Sequence, residues 1–163
     1  MESLMKPIVN LDKLDNFIER EEGPFKERCA VIGKNIGAKK LSYSLAIVPP
    51  GKKMCPFHNH RINEELFIII EGTGILRFGS HTYELKKHDV IACPPGDRSV
   101  AHQIINTSTS DLKYFCLSTA EPFDICEYPD SNKILLIDHQ ENRDFRHISR
   151  ADQTVDYMYG EDS

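Results

Sequence analysis

Between residues 51 and 72 the chain reads Gly-Lys-Lys-Met-Cys-Pro-Phe-His-Asn-His-Arg-Ile-Asn-Glu-Glu-Leu-Phe-Ile-Ile-Ile-Glu-Gly. Its second half is apolar from Leu66 to Ile70. Successive strand side chains alternate sides, so Phe67 and Ile69 share one face and Leu66, Ile68 and Ile70 the other. A strand apolar on both faces has to be covered on both. In the first half, His58 and His60 stand two apart, the strand period, which sets both rings on one face with Cα atoms about 6.5–7 Å apart. Rings so spaced converge on one metal ion with bonds of about 2.1 Å. After a turn around Arg61 to Asn63 a carboxylate heads the next strand, and an antiparallel neighbour is expected to bring it beside the histidines at a strand spacing of about 4.8 Å. Parity leaves Glu64 and Glu65 both open for that role, because the turn resets the phase.

Outward from this stretch the texture stays β-rich. Runs at Arg28–Ile32, Leu41–Val48, Ile75–Phe78, His81–Leu85, Val90–Cys93, Val100–Ile105 and Leu112–Leu117 are separated by Gly, Pro, Asn and Lys. Many short strands with regular turn signals predict an all-β sandwich or barrel. Upstream, Leu11, Leu14, Phe17 and Ile18 have helical spacing and predict a short N-terminal helix stopped by Gly23-Pro24. Downstream, residues 120–163 read as an irregular wrapping tail with one strand over Asn132–Ile137. The expected organisation is a single domain, with an N-terminal arm at 1–26, a β-barrel at 27–119 and the tail at 120–163.

The 163 residues carry 20 Lys+Arg against 25 Asp+Glu, a net charge of -5. An acidic balance argues against nucleic acid as the main partner, because phosphate binding needs a cationic footprint. No apolar run approaches the ~20 residues of a membrane span, so no membrane partner is expected. The N-terminal residues show no apolar stretch behind a basic one. Five cysteines at scattered spacing, with no C-x-x-C pair, read as free thiols. Together these predict a reduced, cytoplasmic protein.

His102, on a strand after Cys93-Pro94-Pro95-Gly96, is able to supply a third imidazole. Three neutral imidazoles and a carboxylate suit a borderline divalent ion and leave positions open on it. His81, His88, His139 and His147 read as surface residues, and Asn106 as a polar strand-end residue.

Gly51 to Gly72 resembles the first cupin motif, Gly-x5-His-x-His-x3-4-Glu-x6-Gly, with one extra residue before His58. The motif's six intervening residues are Leu66 to Glu71, so the resemblance selects Glu65 over Glu64. His88 to Asn106 is similar to the second motif, Gly-x5-Pro-x-Gly-x2-His-x3-Asn, and Pro94, Gly96, His102 and Asn106 match it. His88 replaces the motif's first glycine, and five residues rather than two separate Gly96 from His102. The stretches Cys126–Ser131 and Asp156–Glu161 resemble the tails of short bacterial single-domain cupins of the mannose-6-phosphate-isomerase-like group. The resemblance implies a double-stranded β-helix, or jelly-roll barrel, with His58, His60, Glu65 and His102 holding one divalent metal ion (Fe, Mn, Ni or Zn). It also implies a small-molecule ligand and a homodimer paired through sheet faces such as Leu66–Ile70. The function expected first is a metal-dependent enzyme on a small polar metabolite, of dioxygenase or isomerase/lyase type. A non-catalytic small-molecule or metal-binding module is the alternative. A metal-free, sugar-epimerase-like cupin is the third reading and is disfavoured by the intact ligand set.

Overall fold

β-branched and aromatic runs fit a pleated, half-buried surface, and the glycines, prolines and Asn/Asp residues between them supply the turns. The computed structural model describes residues 6–140 and 144–161. The strands are β1 (Ile18–Glu22), β2 (Phe25–Val31), β3 (Leu41–Val48), β4 (Asn59–His60), β5 (Glu65–Glu71), β6 (Gly74–Phe78), β7 (His81–Leu85), β8 (Val90–Cys93), β9 (His102–Ile105), β10 (Leu112–Thr119), β11 (Phe123–Tyr128), β12 (Lys133–Asp138) and β13 (Phe145–Arg150). One sheet has the order β1-β2-β3-β10-β5-β8, and its pairs are antiparallel. Opposite it lie two smaller sheets, β7-β6-β9 and β13-β12-β11-β4. The segment before β4 stitches these two together through bridges between Lys53 and Ile105 and between His58 and His102.

The layers face each other across an apolar core. Ala46, Val48, Phe67, Ile69, Ile91, Cys93, Leu112 and Tyr114 come from the large sheet, and Leu76, Leu85 and Ile104 from its partner. The hydrogen bonding does not run all the way round, so the expected closed barrel is an open sandwich whose edges include β1, β8, β7 and β13.

Two local expectations are corrected. The N-terminal helix shrinks to one 3-10 turn, Leu11–Lys13, and Ile18–Glu22 is strand β1 instead. Gly23, at φ +55°, folds β1 back on β2 in a hairpin from Ile18↔Cys29 to Glu22↔Phe25. The ladder bonds of that hairpin outweigh the weak helical periodicity of a short segment. The tail, expected to be irregular apart from one strand over Asn132–Ile137, carries three strands, and β12 falls on that stretch. β11, β12 and β13 form a meander whose first strand pairs with β4, Cys126 opposite His60 and Glu127 opposite Asn59.

Both faces of β5 behave as expected of a doubly apolar strand. Phe67 and Ile69 are buried in the core, while Leu66, Ile68 and Ile70 are half-buried on the outer face. There a cross-strand row runs Val90, Ile68, Phe115, Leu45, Ala30 through five strands. Its Ala30 end is fully buried, and its Val90 end is 64% exposed. The meander β11–β13 does not cover this face, since it extends the opposite layer.

Gly72, which ends β5, has φ +85°, and a Cβ there would meet the Asp111 carbonyl oxygen at 2.5 Å. Only glycine fits that turn without strain.

Candidate metal centre

Strand parity and register assemble four side chains at one end of the sandwich. His58 and His60 lie two apart and face inward from the segment entering β4. His102 heads β9 directly opposite His58, with a reciprocal pair of backbone bonds, His58 N–H to His102 O at 3.1 Å and His102 N–H to His58 O at 2.7 Å. The five-residue spacer between Gly96 and His102 is taken up by a 3-10 turn, Arg98–Val100. Asp97 caps it by accepting the Ser99 N–H at 2.9 Å, and His102 returns to register. Glu65 faces these rings from β5.

Glu65 is therefore not on a strand neighbouring the histidines, as the sequence led us to expect. It reaches them from the facing sheet, paired with Cys93 and Ser118 within its own. The Arg61–Asn63 turn crosses between the layers rather than closing a hairpin. Asn63 pins the crossing, accepting from the Thr119 hydroxyl at 2.8 Å and the Glu121 N–H at 3.0 Å and donating to Asp124 at 2.8 Å. Glu64 is exposed.

Three Nε2 atoms converge on one oxygen. Glu65 Oε2 lies 2.9 Å from His102 Nε2, 3.3 Å from His60 Nε2 and 3.6 Å from His58 Nε2. All four side chains are largely buried, with 4% (His102), 12% (His58), 18% (His60) and 19% (Glu65) exposed. Bonds of about 2.1 Å to a common ion would set neighbouring ligand atoms roughly 3.0–3.4 Å apart, and the observed spacings span that range. His58, His60 and Glu65 offer ligand atoms all within 4.8 Å of one another, and His102 joins them through Glu65.

Each ring also turns its Nδ1 to an oxygen acceptor: Pro56 O at 2.9 Å for His58, Asp124 Oδ2 at 2.7 Å for His60 and Val100 O at 3.3 Å for His102. An acceptor at Nδ1 fixes the neutral tautomer that leaves the Nε2 lone pair free. His58, His60 and Glu65 thus fit a divalent ion in spacing, and the Nδ1 contacts of all three rings fit it in tautomer.

The electrostatics follow from the crowding. Burial disfavours the imidazolium of His58, but Cys55 and Glu65 outweigh it and raise its pKa to about 10. Burial likewise opposes charge on His60, while Asp124, Cys126 and Glu65 raise it to about 12. Glu65 is pushed up by burial but held well below the usual carboxylate range by the three histidines.

A cavity of about 220 Å³ opens onto the cluster, with His58, Glu65, Cys55, Ser42, Ser44 and Ser118 among its lining residues and, among the described residues, no Lys or Arg. Larger clefts of about 450 and 760 Å³ lie elsewhere and touch none of the four clustered residues. The other four histidines are exposed. Asn106 is fully buried and closes the 106–110 loop, donating to the carbonyls of Val48 and Ser110 at 2.8 Å each.

The sequence reading missed Asp124 and Cys126. Their one signal is parity in Phe-Asp-Ile-Cys-Glu-Tyr (123–128), which puts an acid and a thiol on one face, and it has meaning only once β11 is known to pair with β4.

Residues 44–118 match the cupin domain family model. An uncharacterised protein of Methanocaldococcus jannaschii is 34% identical over 108 residues, 66% of this chain and 81% of that relative. The chain belongs to the cupin family. Among solved structures, this cupin is similar to a putative sugar phosphate isomerase from Acidithiobacillus ferrooxidans, with TM-score 0.81, 20% identity, and coverage of 92% of this chain and 96% of the other. It is also similar to a cupin-superfamily sugar phosphate isomerase from Silicibacter pomeroyi, with TM-score 0.77, 21% identity, and coverage of 91% and 95%. The cupin domain match ends at Thr119's neighbour Ser118, so β11–β13 of this cupin lie outside it.

Proposed function

We propose that this cupin binds one divalent metal ion through His58, His60, Glu65 and His102 and acts on a small hydroxyl-bearing metabolite as an isomerase or lyase. The observation that carries the reading is the convergence of three Nε2 atoms on Glu65 Oε2 at 2.9–3.6 Å, each ring with its Nδ1 already committed to an oxygen. When bound, the ion supplies a Lewis acid that polarises a carbonyl or hydroxyl oxygen. The protein's own part is to hold the rings in their coordinating tautomer and to shape the space beside them. Ser42, Ser44 and Ser118 line that space with hydroxyl-bearing side chains, and Phe67 makes part of it apolar. This chemistry suits a polyhydroxylated ligand. The sugar phosphate isomerases of similar fold set the first compounds to try.

The absence of Lys and Arg from the lining favours a ligand whose bound portion is neutral or whose anionic group projects outside. A second reading, a binding module that releases its ligand unchanged, draws on the same cavity, since none of its lining residues outside the cluster is an Asp, Glu, His or Lys.

The test is elemental analysis of protein purified without chelator, then incubation with aldoses, ketoses, their phosphates and hydroxy-acids, with and without O2. One divalent ion per chain, lost in the His58→Ala/His60→Ala double variant, supports the metal reading. Metal retained by that variant refutes it. Binding without turnover selects the module, and turnover that requires O2 selects the dioxygenase type over the isomerase or lyase.

A further inference from the structure

Asp124 is 3% exposed, a carboxylate on β11 pointing into the sandwich next to His60. Its two oxygens accept from four donors: His60 Nδ1 at 2.7 Å and Asn63 Nδ2 at 2.8 Å on Oδ2, and the N–H groups of Ile62 at 3.1 Å and Ile125 at 2.8 Å on Oδ1. An ionised carboxylate only accepts, so His60 Nδ1 carries the proton and Nε2 faces Glu65. Among the three clustered histidines, His60 alone has a charged group as its Nδ1 acceptor; His58 and His102 face backbone carbonyls. Asp124, His60 and Cys126 are not a second metal site. Neighbouring ligand atoms on a common ion stand roughly 3.0–3.4 Å apart, whereas the 2.7 Å between His60 Nδ1 and Asp124 Oδ2 is clearly shorter and is a hydrogen-bond length.

We propose that Asp124 is a positioning residue for the metal centre: it fixes the ring plane and tautomer of His60 so that Nε2 is presented to the ion. The inference rests on the metal reading above. It assigns a functional part to the C-terminal meander, which the cupin domain match does not cover. Removing a carboxylate partner of a ligating histidine typically lowers metal affinity 10–100-fold.

A purely structural role must be separated, because Asp124 also pins the 61–63 turn. The variants are Asp124→Asn and Asn63→Ala. The second removes the Asn63 contacts to Asp124, Thr119 and Glu121 but leaves the His60–Asp124 pair. The readouts are the His60 Nδ1–H proton by NMR, Zn²⁺ affinity by chelator competition, and folding by circular dichroism. Wild type is expected to show a downfield, exchange-protected His60 Nδ1–H signal. Asp124→Asn is expected to lose it and to bind Zn²⁺ 10–100-fold more weakly, while Asn63→Ala keeps the signal and stays within about threefold in affinity.

The absence of the signal in folded wild type overturns the proposal, whatever the variants do. So does an equal affinity loss in Asn63→Ala, or an Asp124→Asn protein whose Zn²⁺ affinity is unchanged. If wild type binds no Zn²⁺ or other divalent ion, the metal reading fails. The positioning of His60 is then judged by the Nδ1–H signal in the metal-free protein alone.

Discussion

Glu64 and Glu65 differ by one position in the chain and by one sheet face in space. Glu65 shares its face with Phe67 and Ile69, and Glu64 is exposed. Replacing Glu65 by Gln should therefore cut metal retention sharply, while Glu64→Gln leaves it unchanged; equal retention in the two variants, measured by elemental analysis, would reject the assignment. Proton competition gives a second prediction. His58 and His60 have pKa values raised from 6.5 to about 10 and about 12 in the metal-free fold. A raised histidine contributes stability that is complete below its unfolded value and is lost as pH climbs through the folded value. The lowered carboxyl of Glu65 contributes stability present above 4.5 and lost as pH falls toward its depressed value. Metal-free protein should thus be most stable at about pH 5–6 and lose stability progressively as pH climbs from about 6.5 through about 10, as thermal melts would show. Metal must displace those protons, so Zn²⁺ affinity should rise at least about tenfold per pH unit between pH 6 and 8. A flat profile would contradict this. At this scale the motif spacing made Glu65 legible, whereas Asp124 was not, because its meaning depends on a partner 64 residues away.

His88 occupies the position at which the resembling motif has glycine, and it adopts φ +74° in the turn between β7 and β8. The departure visible in the sequence is thus a backbone position that favours glycine. The left-handed conformation costs a non-glycine residue roughly 1–2 kcal/mol, partly offset because glycine loses more chain entropy on folding. His88→Gly should stabilise the fold by up to about 1 kcal/mol, read from denaturant midpoints; a clear loss of stability would count against this account. Elements were legible where turn chemistry marked their ends. They were misread where local periodicity and long-range pairing disagreed. Leu11, Leu14, Phe17 and Ile18 have helical spacing, but the register with β2 makes Ile18–Glu22 a strand. The Arg61–Asn63 segment looked like a hairpin turn, yet its contacts to Thr119, Glu121 and Asp124 send it across to the other layer.

For the whole molecule, the open question raised by the outer face of the large sheet is its cover. The row from Ala30 to Val90 is apolar across five strands, and the C-terminal meander lies on the other layer. Ala30 and Leu45 are already buried, so the exposed Val90 end is where a second copy is expected to pack, and a stable pair buries about 800 Å² on each side. Light scattering at micromolar concentration should return twice the 18.6 kDa chain mass, and Val90→Asp, at the exposed end of the row, should shift it toward monomer. A wild-type mass of one chain would reject the pairing. The class of fold and one end of the sandwich were readable from motifs because His58, His60, Glu65 and His102 fall within 45 residues. The meander was readable only at β12, because β11 acquires its face by docking on β4 and β13 by pairing with β12. The lateness of that docking has a consequence for synthesis. A ribosome releases His58, His60, Glu65 and His102 before Asp124, and at roughly 5–20 residues per second the interval from His102 to Asp124 lasts about 1–4 s. During it the nascent chain holds its histidines without the carboxylate proposed to orient His60, so on the metal reading tight loading would wait until Asp124 has been made.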